Sequence, residues 1–214
     1  MKELRFLDEL VQRYPVLEPV KGDILKAYEI MRDCYEKGGK LMIAGNGGSC
    51  SDSEHIVGEL MKSFMFERKI QKKYADELVR LYGDEGVALS KKLEGTLCSI
   101  PLTSMPALST AFINDVDPAL TFAQMLYGYG REGDCFLGIS TSGNSKNILY
   151  ALQVAKAKGI TTIGLTGEGG GKMKELCDIT IQVPEKETFM IQELHLPIYH
   201  CLCAMLEADF FEEK

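Results

Sequence analysis

A chain of 214 residues predicts one domain, alone or with an embellishment, and is short for two domains of average size. Its 45% hydrophobic and 26% charged residues are typical of globular proteins and exclude collagen-like and disordered classes. A formal net charge of −7 argues against a basic face that binds nucleic acid. No apolar run approaches the ~18 to 20 residues that span a bilayer, and residues 1–10 carry charges where a signal peptide is apolar. We therefore expect a cytoplasmic protein without a nucleic-acid or membrane partner.

The first 39 residues predict two helices. Apolar side chains at helical spacing form one stripe before Pro15 and a second stripe after it, and Gly38-Gly39 ends the second helix. The two stripes consist of Leu4, Leu7, Leu10 and Val11, and of Ile24, Tyr28, Met31 and Tyr35.

From Lys40 onward, short apolar runs alternate with glycine or hydroxyl clusters and with helical patterns. This alternation is typical of βα units, in which helices cover a parallel sheet, and it predicts an α/β fold. The five expected strands are Leu41 to Ala44, Thr96 to Leu102, Cys135 to Ile139, Thr161 to Thr166 and Ile179 to Val183. Lys146 to Lys158 is the clearest crossover helix, and residues 187–211 predict a last helix that Pro197 is expected to kink.

The segment between Lys62 and Gly95 fits the βα alternation badly and is interpreted as an insertion, residues 63–95. It is rich in charge, and Ala75 to Tyr82 and Gly86 to Leu93 predict two short surface helices. A segment of this kind serves as a lid or an oligomer contact, or it is a solvated excursion without a function. The sequence favours neither interpretation.

The seven cysteines are expected to be reduced thiols. Their number is odd, no two have the C-x-x-C spacing of a zinc or redox motif, and most lie within apolar runs. Buried thiols that pack as small hydrophobic groups explain this pattern better than a disulfide framework does.

Two loops follow predicted strands with unusual compositions, and ligands of parallel sheets bind at the carboxyl ends of strands. The first loop is Gly45-Asn46-Gly47-Gly48-Ser49, whose small residues allow backbone amides to approach a ligand before a helix begins. The second loop runs from Ser140 to Ser145 and places four hydroxyl groups at the start of a helix, where a phosphate is attracted. Serine-rich loops are also common as simple turns and helix caps, so that interpretation stays open. Neither loop has the G-x-G-x-x-G pattern, and Met173 replaces the Ser or Thr that a P-loop needs after Gly171-Lys172.

The three histidines lie in two predicted helices. His55 and Glu59 are four residues apart and share one helix face, a spacing that suits a metal site and also an ordinary ion pair. Gln192 and His200 are eight residues apart, about two turns, so they converge on one group only if both side chains lean together. His195 points away from both and is interpreted as a packing or interface residue.

Several motifs in order make the chain resemble the phosphoheptose isomerases of the sugar isomerase (SIS) domain family. The resemblance covers about four-fifths of the chain, everything except the insertion. The matching pieces are residues 45–49, His55-x-x-x-Glu59, Asn114-Asp115, residues 138–145, Leu165-Thr166-Gly167, and Ile191-Gln192-Glu193-x-His195 with His200.

The resemblance implies a fold, an assembly and a reaction. The implied fold is a three-layer αβα sandwich, flavodoxin-like, in which residues 1–214 form one SIS domain around a five-stranded parallel sheet. The implied assembly is a homotetramer with the N-terminal helices, residues 1–39, at its centre and active sites shared between subunits. The implied reaction interconverts sedoheptulose 7-phosphate and D-glycero-D-manno-heptose 7-phosphate, an aldose–ketose isomerisation through an enediol.

The resemblance also implies a role for each matching residue. The phosphate would be held by Ser140, Thr141, Ser142 and Ser145, and the sugar by Asn46, Gly47, Ser49 and Asp115, with Gln192 nearby. Glu59 and His200 would be the catalytic acid/base pair. In zinc-dependent members the metal ligands are His55, Glu59, Gln192 and His200, and this chain has all four. A zinc ion would serve as the Lewis acid that stabilises the enediolate.

Two substitutions and the insertion separate this chain from the family pattern. Ser63 stands where members have an arginine four residues after the glutamate, and Phe189 stands where they have an aspartate three residues before the glutamine. Both positions lie near the sugar in the family, so these differences concern the identity of the sugar more than the isomerase chemistry.

Two alternatives to a heptose 7-phosphate isomerase remain at the level of sequence. One is an isomerase of a different phosphosugar. The other is a non-catalytic regulator that binds a sugar phosphate, since the SIS family includes binding modules. The regulatory relatives lack a histidine at the position of His200, so its presence together with His55, Glu59 and Gln192 favours the enzyme.

Overall fold

The computed structural model describes residues 2–212 and has at its centre a parallel sheet of five strands. The strands, in chain order, are β1 (Leu41–Ala44), β2 (Ser99–Pro101), β3 (Cys135–Ile139), β4 (Thr161–Thr166) and β5 (Ile179–Gln182). Their order across the sheet is β2-β1-β3-β4-β5, so β1 and β3 are central neighbours whose carboxyl ends lie side by side. The expected bounds of β1, β3 and β4 are confirmed, whereas β2 and β5 are shorter than their apolar runs.

Ten α-helices surround the sheet within residues 2–212. They are α1 (Leu4–Arg13), α2 (Lys21–Glu36), α3 (Gly48–Met61), α4 (Lys72–Tyr82), α5 (Asp84–Lys92), α6 (Pro106–Asp115), α7 (Thr121–Tyr129), α8 (Lys146–Ala157), α9 (Met173–Leu176) and α10 (Thr188–Phe211). Two short 3-10 helices, Pro15–Val20 and Pro118–Leu120, join α1 to α2 and α6 to α7.

The core is divided by the sheet into two apolar layers, as the period of a strand requires. Leu41 and Ile43 of β1 point to one face, where they pack with buried residues of α1, α2, α3 and α10. Met42 and Ala44 point to the other face, where α7, α8 and α9 cover them. The predicted three-layer αβα sandwich is confirmed, and α3 and α10 lie on the same side of the sheet.

The last helix is continuous from Thr188 to Phe211 with Pro197 inside it. A proline in the interior removes one backbone hydrogen bond, which the dense burial of the following turns offsets. Although α10 has 24 residues, no helix within residues 2–212 is long and apolar enough to cross a membrane.

The segment 63–95 forms a helical hairpin of α4 and α5 whose base is closed by an antiparallel bridge between Lys69 and Glu94. The two expected surface helices are present and begin three and two residues earlier than predicted; α4 has no buried residue, and in α5 Gly86 is buried. Arg68, which precedes them in this charged segment, is not at the surface, because its side chain is completely buried against Glu207 of α10. A charge can be buried in this way only when a partner of opposite sign and several hydrogen bonds accompany it.

Candidate active site

The two unusual loops lie beside each other because they follow the adjacent strands β1 and β3. A reciprocal pair of side-chain amides joins them: Nδ2 of Asn46 donates to Oδ1 of Asn147 at 3.0 Å, and Nδ2 of Asn147 donates to Oδ1 of Asn46 at 2.8 Å. Asn147 belongs to the first turn of α8 and was not predicted. Its position one turn after a hydroxyl-rich loop was the only signal for it in the sequence.

The second loop, Ser140 to Ser145, is called the hydroxyl loop and is tightly folded at the start of α8. Ser140 and Ser145 share a hydrogen bond between their Oγ atoms at 2.8 Å, and Oγ of Ser142 accepts from the backbone of Asn144. Ser145 is the N-cap residue of α8, yet its hydroxyl does not cap the helix. The Ser140–Ser145 bond uses one hydroxyl proton, and the amide of Ile148 is bonded to Asn147 and Ser145. The remaining hydroxyl protons and the amides before Ile148 are the donors left for an anion that the helix dipole attracts.

The glycine loop, Gly45 to Ser49, contains two positions that only glycine can occupy. A Cβ on Gly45 would lie 2.4 Å from the carbonyl oxygen of Ser49, and Gly47 has a φ of +58°, so both positions require glycine. A Cβ on Gly48 would lie 2.7 Å from Nε2 of Gln192, which places the Gln192 amide directly over the first turn of α3. Ser49 is buried beneath the loop rather than open to solvent.

His55, Glu59 and His200 form a cluster between α3 and α10. Nε2 of His55 lies 3.2 Å from Oε1 of Glu59 and 3.5 Å from Nε2 of His200. The second carboxylate oxygen of Glu59, Oε2, is buried without a hydrogen-bond partner among the described residues. The structure thus brings three of the four predicted metal ligands and both predicted acid/base residues together.

Tyr199 and Asp52 support this cluster and were not predicted from the sequence. The buried Tyr199 hydroxyl donates to Oδ1 of Asp52 at 3.3 Å and lies 3.1 Å from Nδ1 of His55. The Tyr199 hydroxyl therefore connects the Asp52 carboxylate to the side of the His55 ring opposite Glu59. Burial raises the pKa of the Asp52 carboxyl, and the Tyr199 hydroxyl acts in the opposite direction.

The imidazole of His200 is held neutral by its surroundings. Partial burial lowers its pKa below the ordinary value of 6.5, and His55 lowers it further, while Glu59 acts in the opposite direction. At pH 7 the ring therefore has one nitrogen that donates and one that accepts.

Gln192 and Asp115 lie outside the cluster. Gln192 contacts the glycine loop, two turns of α10 before His200, and no hydrogen bond within residues 2–212 joins it to His55, Glu59 or His200. Asp115 is exposed at the end of α6, where it accepts from the side chain of its neighbour Asn114. No group of three or more His, Cys, Asp or Glu side chains in the described part of the chain has the arrangement of a metal-ligand shell.

His195 is a packing residue, as expected from its position on the helix. It is completely buried in the core. Burial lowers its pKa to about 4, although the backbone of Thr166 acts in the opposite direction. Neither ring nitrogen makes a hydrogen bond of good geometry within residues 2–212.

Comparison with known proteins agrees with the fold and with these motifs. The SIS domain family model matches residues 107–206. The phosphoheptose isomerase of Aneurinibacillus thermoaerophilus is 40% identical over 205 residues, which cover 91% of this chain and 90% of that protein. Phosphoheptose isomerase 2 of Campylobacter jejuni is 42% identical over 177 residues, 83% of this chain and 75% of that protein.

Among solved structures, the phosphoheptose isomerase of Neisseria gonorrhoeae superposes with a TM-score of 0.72. Its sequence is 27% identical, and the match covers 97% of this chain and 94% of that chain. The similarity therefore extends over sequence and fold together, and it includes the strand ends on which the candidate site is built. The chain belongs to the phosphoheptose isomerase family of SIS-domain proteins, and it is a phosphosugar isomerase that interconverts an aldose and a ketose.

Proposed function

We propose that the protein interconverts sedoheptulose 7-phosphate and D-glycero-D-manno-heptose 7-phosphate. The observation that carries this proposal is the cluster of His55, Glu59 and His200, in a chain that also has a hydroxyl loop at the start of α8. Relatives 40% and 42% identical are named phosphoheptose isomerases, which supports a seven-carbon sugar phosphate as the first substrate to test.

In this proposal the two loops hold the substrate. The phosphate binds at the start of α8, where Ser140, Thr141, Ser142 and Ser145 donate hydrogen bonds and the helix dipole favours an anion. Asn46, Gly47, Ser49 and Asp115 contact the sugar, and Gln192 closes over the glycine loop. Of the sugar-contacting group, Asn46 is exposed and already oriented by Asn147, which supports its role.

The chemistry proposed is proton transfer through an enediol. Glu59 accepts the proton from the carbon beside the carbonyl group and returns it to the former carbonyl carbon. His200 moves a proton between the two neighbouring oxygens, for which a neutral ring with one donor and one acceptor is suited. The partly buried setting strengthens both interactions, since only 14% of the Glu59 side chain is exposed.

We also propose one zinc ion per active site, held by His55, Glu59, Gln192 and His200. The donor atoms fit this ion in kind, because imidazole nitrogens and a carboxylate oxygen are common zinc ligands. Nε2 of His55 lies 3.5 Å from Nε2 of His200, and Oε2 of Glu59 has no hydrogen-bond partner among the described residues. Gln192 lies against Gly48, so it is the ligand for which the structure offers the least support. When bound, zinc supplies Lewis-acid stabilisation of the enediolate. A Glu59 carboxylate that binds zinc is not free to act as the base, so chelation separates the two roles.

We further propose that the protein is a homotetramer with active sites at subunit contacts. A groove of about 520 Å³ between α1 and α10 ends at His200 and is lined mostly by apolar side chains, including Leu10 and Leu196. A second subunit packed on this groove would cover the site, and the N-terminal helices, residues 1–39, would supply that contact. Light scattering after size-exclusion chromatography tests this, with four times the mass of the chain as the expected result.

The deciding experiment is turnover of sedoheptulose 7-phosphate, followed by NMR of aldose formation, with added zinc and after chelation. Turnover that is lost on chelation supports both the reaction and the metal. Turnover that survives chelation supports the reaction with Glu59 as a free base and removes the zinc proposal. Binding without turnover would contradict the heptose substrate.

A different phosphosugar is the second candidate, and two positions favour testing it. Ser63 has its hydroxyl oxygen buried without a hydrogen-bond partner among residues 2–212, and its backbone donates to Glu94 of the insertion at 2.7 Å. Phe189 exposes 57% of its surface at the start of α10, where the family has an aspartate. Shorter ketose phosphates should therefore be run beside the heptulose, and a higher kcat/KM for one of them would replace the proposed substrate.

A further inference from the structure

The root of the helical hairpin contains an ion pair that is fully removed from solvent. The side chains of Arg68 and Glu207 are both 0% exposed, and Nε of Arg68 donates to Oε1 of Glu207 at 2.7 Å. Arg68 precedes the hairpin, and its carbonyl accepts from the amide of Gly95 on the returning strand of chain. The pair therefore joins three parts of the molecule: the inserted segment, α10 and the end of α3.

The guanidinium group of Arg68 holds the last turn of α3. Its Nη1 donates to the carbonyl of Leu60 at 2.8 Å, and its Nη2 donates to the carbonyl of Glu59 at 2.9 Å. Carbonyl groups at the end of a helix have no partner within the helix. Arg68 thus supplies the missing donors at the residue whose side chain is the proposed base.

Glu207 holds the chain that leaves α3. Its two oxygens accept from the backbone of Phe64 at 2.7 Å and of Met65 at 2.6 Å. The ring of Phe64 packs against the imidazole of His200, with centroids 5.8 Å apart. Glu207 lies two turns after His200 on α10, so its carboxylate fixes the position of the Phe64 backbone relative to α10.

A buried ion pair is a costly way to stabilise a protein, because apolar side chains of similar size often do as well or better. What apolar side chains do not supply is a set of directional bonds. Here five hydrogen bonds between α3, the chain after it and α10 converge on two side chains. These bonds specify the position of α3 relative to α10, and that relation sets the distance between Glu59 and His200.

We propose that Arg68 and Glu207 are positioning residues of the active site, which hold Glu59 on α3 and His200 on α10 in register. This inference rests on the proposed roles of Glu59 and His200. It also gives the base of the hairpin a function that is independent of α4 and α5.

The test compares Glu207→Gln with a matched control, Asp134→Asn. Asp134 is also a buried carboxylate, which accepts from the backbone of Lys40 and Arg131 and pairs with the Lys40 ammonium group at 2.5 Å. It lies at the amino end of β3, and its hydrogen-bond partners Lys40 and Arg131 belong to neither α3 nor α10. Both variants replace an ionised acceptor by an amide of the same shape, so both are expected to lower the melting temperature. Only Glu207→Gln is expected to lower kcat, by about ten- to a hundredfold with little change in KM.

A second readout does not depend on the substrate. The chain has only three histidines, so imidazole resonances in a ¹H–¹⁵N NMR spectrum are readily assigned. Glu207→Gln is expected to shift the resonances of His55 and His200 more than those of the core residue His195, whereas Asp134→Asn should leave all three in place. If the wild-type protein fails to isomerise sedoheptulose 7-phosphate, the proposed substrate is wrong, and the resonances still test the positioning.

Two milder variants decide the matter if Glu207→Gln does not fold. Arg68→Lys keeps the charge but loses the planar fork that reaches both carbonyl groups. Phe64→Leu removes the ring against His200 without exposing a charge. The inference predicts a lower kcat for both variants, and shifted histidine resonances for Arg68→Lys. Unchanged kcat and unchanged resonances in folded variants would show that the pair serves stability alone.

Discussion

Tyr199 illustrates how one hydroxyl group orients a neighbouring ring. It connects Asp52 to Nδ1 of His55, whose Nε2 lies beside Glu59 and His200. Partners of this kind, which do not touch the reacting atoms, commonly affect metal affinity or activity by about 10- to 100-fold.

Tyr199→Phe is therefore expected to lower kcat about tenfold while the protein keeps its fold. The ring of residue 199 stays in place, but His55 loses the hydrogen-bond partner of its Nδ1. Tyr35→Phe is the matched control, because the buried Tyr35 hydroxyl is bonded to Ser99 on the core side of the sheet. Steady-state kinetics of both variants test this, and equal losses in the two would contradict the role given to Tyr199.

Glu59→Gln is expected to abolish isomerisation, since an amide neither accepts the proton from carbon nor carries the charge of a metal ligand. Binding of the substrate phosphate should persist, because the hydroxyl loop is unchanged. Glu132→Gln, an exposed change at the amino edge of the sheet, controls for the loss of one charge. Full activity in Glu59→Gln would remove the proposed mechanism.

His195 makes the stability of the protein depend on pH. Its pKa is about 4 in the folded protein against 6.5 in the unfolded chain, so the unfolded chain takes up a proton first as the pH falls. The contribution of the neutral ring is complete above pH 6.5 and is lost between pH 6.5 and 4, about 3 kcal/mol in total.

His195→Leu should therefore flatten the fall of the melting temperature between pH 6.5 and 4.5. Because the ring nitrogens lack well-formed hydrogen bonds, the change is expected to cost little stability at neutral pH. Thermal unfolding of both proteins across this range measures the difference, and parallel curves would count against the assignment.

At the scale of elements, the sequence predicted the strands more accurately than it predicted side-chain contacts between different elements. Leu41–Ala44 and Cys135–Ile139 were recognisable because a fully buried parallel strand is a continuous apolar run with glycine or hydroxyl residues after it. The burial of Arg68 was not recognisable, because its partner Glu207 is 139 residues away along the chain. Asn147 and Tyr199 were not predicted for the same reason, because their hydrogen-bond partners belong to other elements.

The hairpin of α4 and α5 offers a test of the two interpretations left open by the sequence. Replacing residues 71–92 by a two-residue Asn-Gly turn preserves Arg68 and the bridge between Lys69 and Glu94. Since α4 buries no side chain, we expect the shortened protein to fold and to keep its kcat. A large loss of kcat in a folded protein would instead identify the hairpin as a lid.

At the scale of the whole molecule, the proposed catalytic residues lie together within a single chain. His55 and Glu59 come from α3 and His200 from α10 of the same subunit, and their side chains are in contact. The proposed sharing of active sites in a tetramer would then concern substrate contacts or the covering of the site rather than this cluster.

Mixing two inactive variants, Glu59→Gln and His200→Asn, is accordingly expected to restore no activity. Every site in a mixed assembly would carry one of the two changes. The variants are refolded together or produced in one cell, with wild-type protein treated in the same way as the control. Recovery of a fraction of wild-type activity would show that the two residues of a site come from different subunits.

The amide pair between Asn46 and Asn147 has a chemical consequence for the lifetime of the protein. Asn46 is followed by Gly47, the sequence in which asparagine most readily cyclises to a succinimide and loses ammonia. The hydrogen bonds to Asn147 engage the Asn46 amide and oppose that cyclisation while the loop is closed. Deamidation of Asn46 would place a carboxylate beside the hydroxyl loop, where it would repel the phosphate of the proposed substrate. We therefore expect the pair that joins the two loops also to slow an irreversible loss of substrate binding in a protein that is still folded.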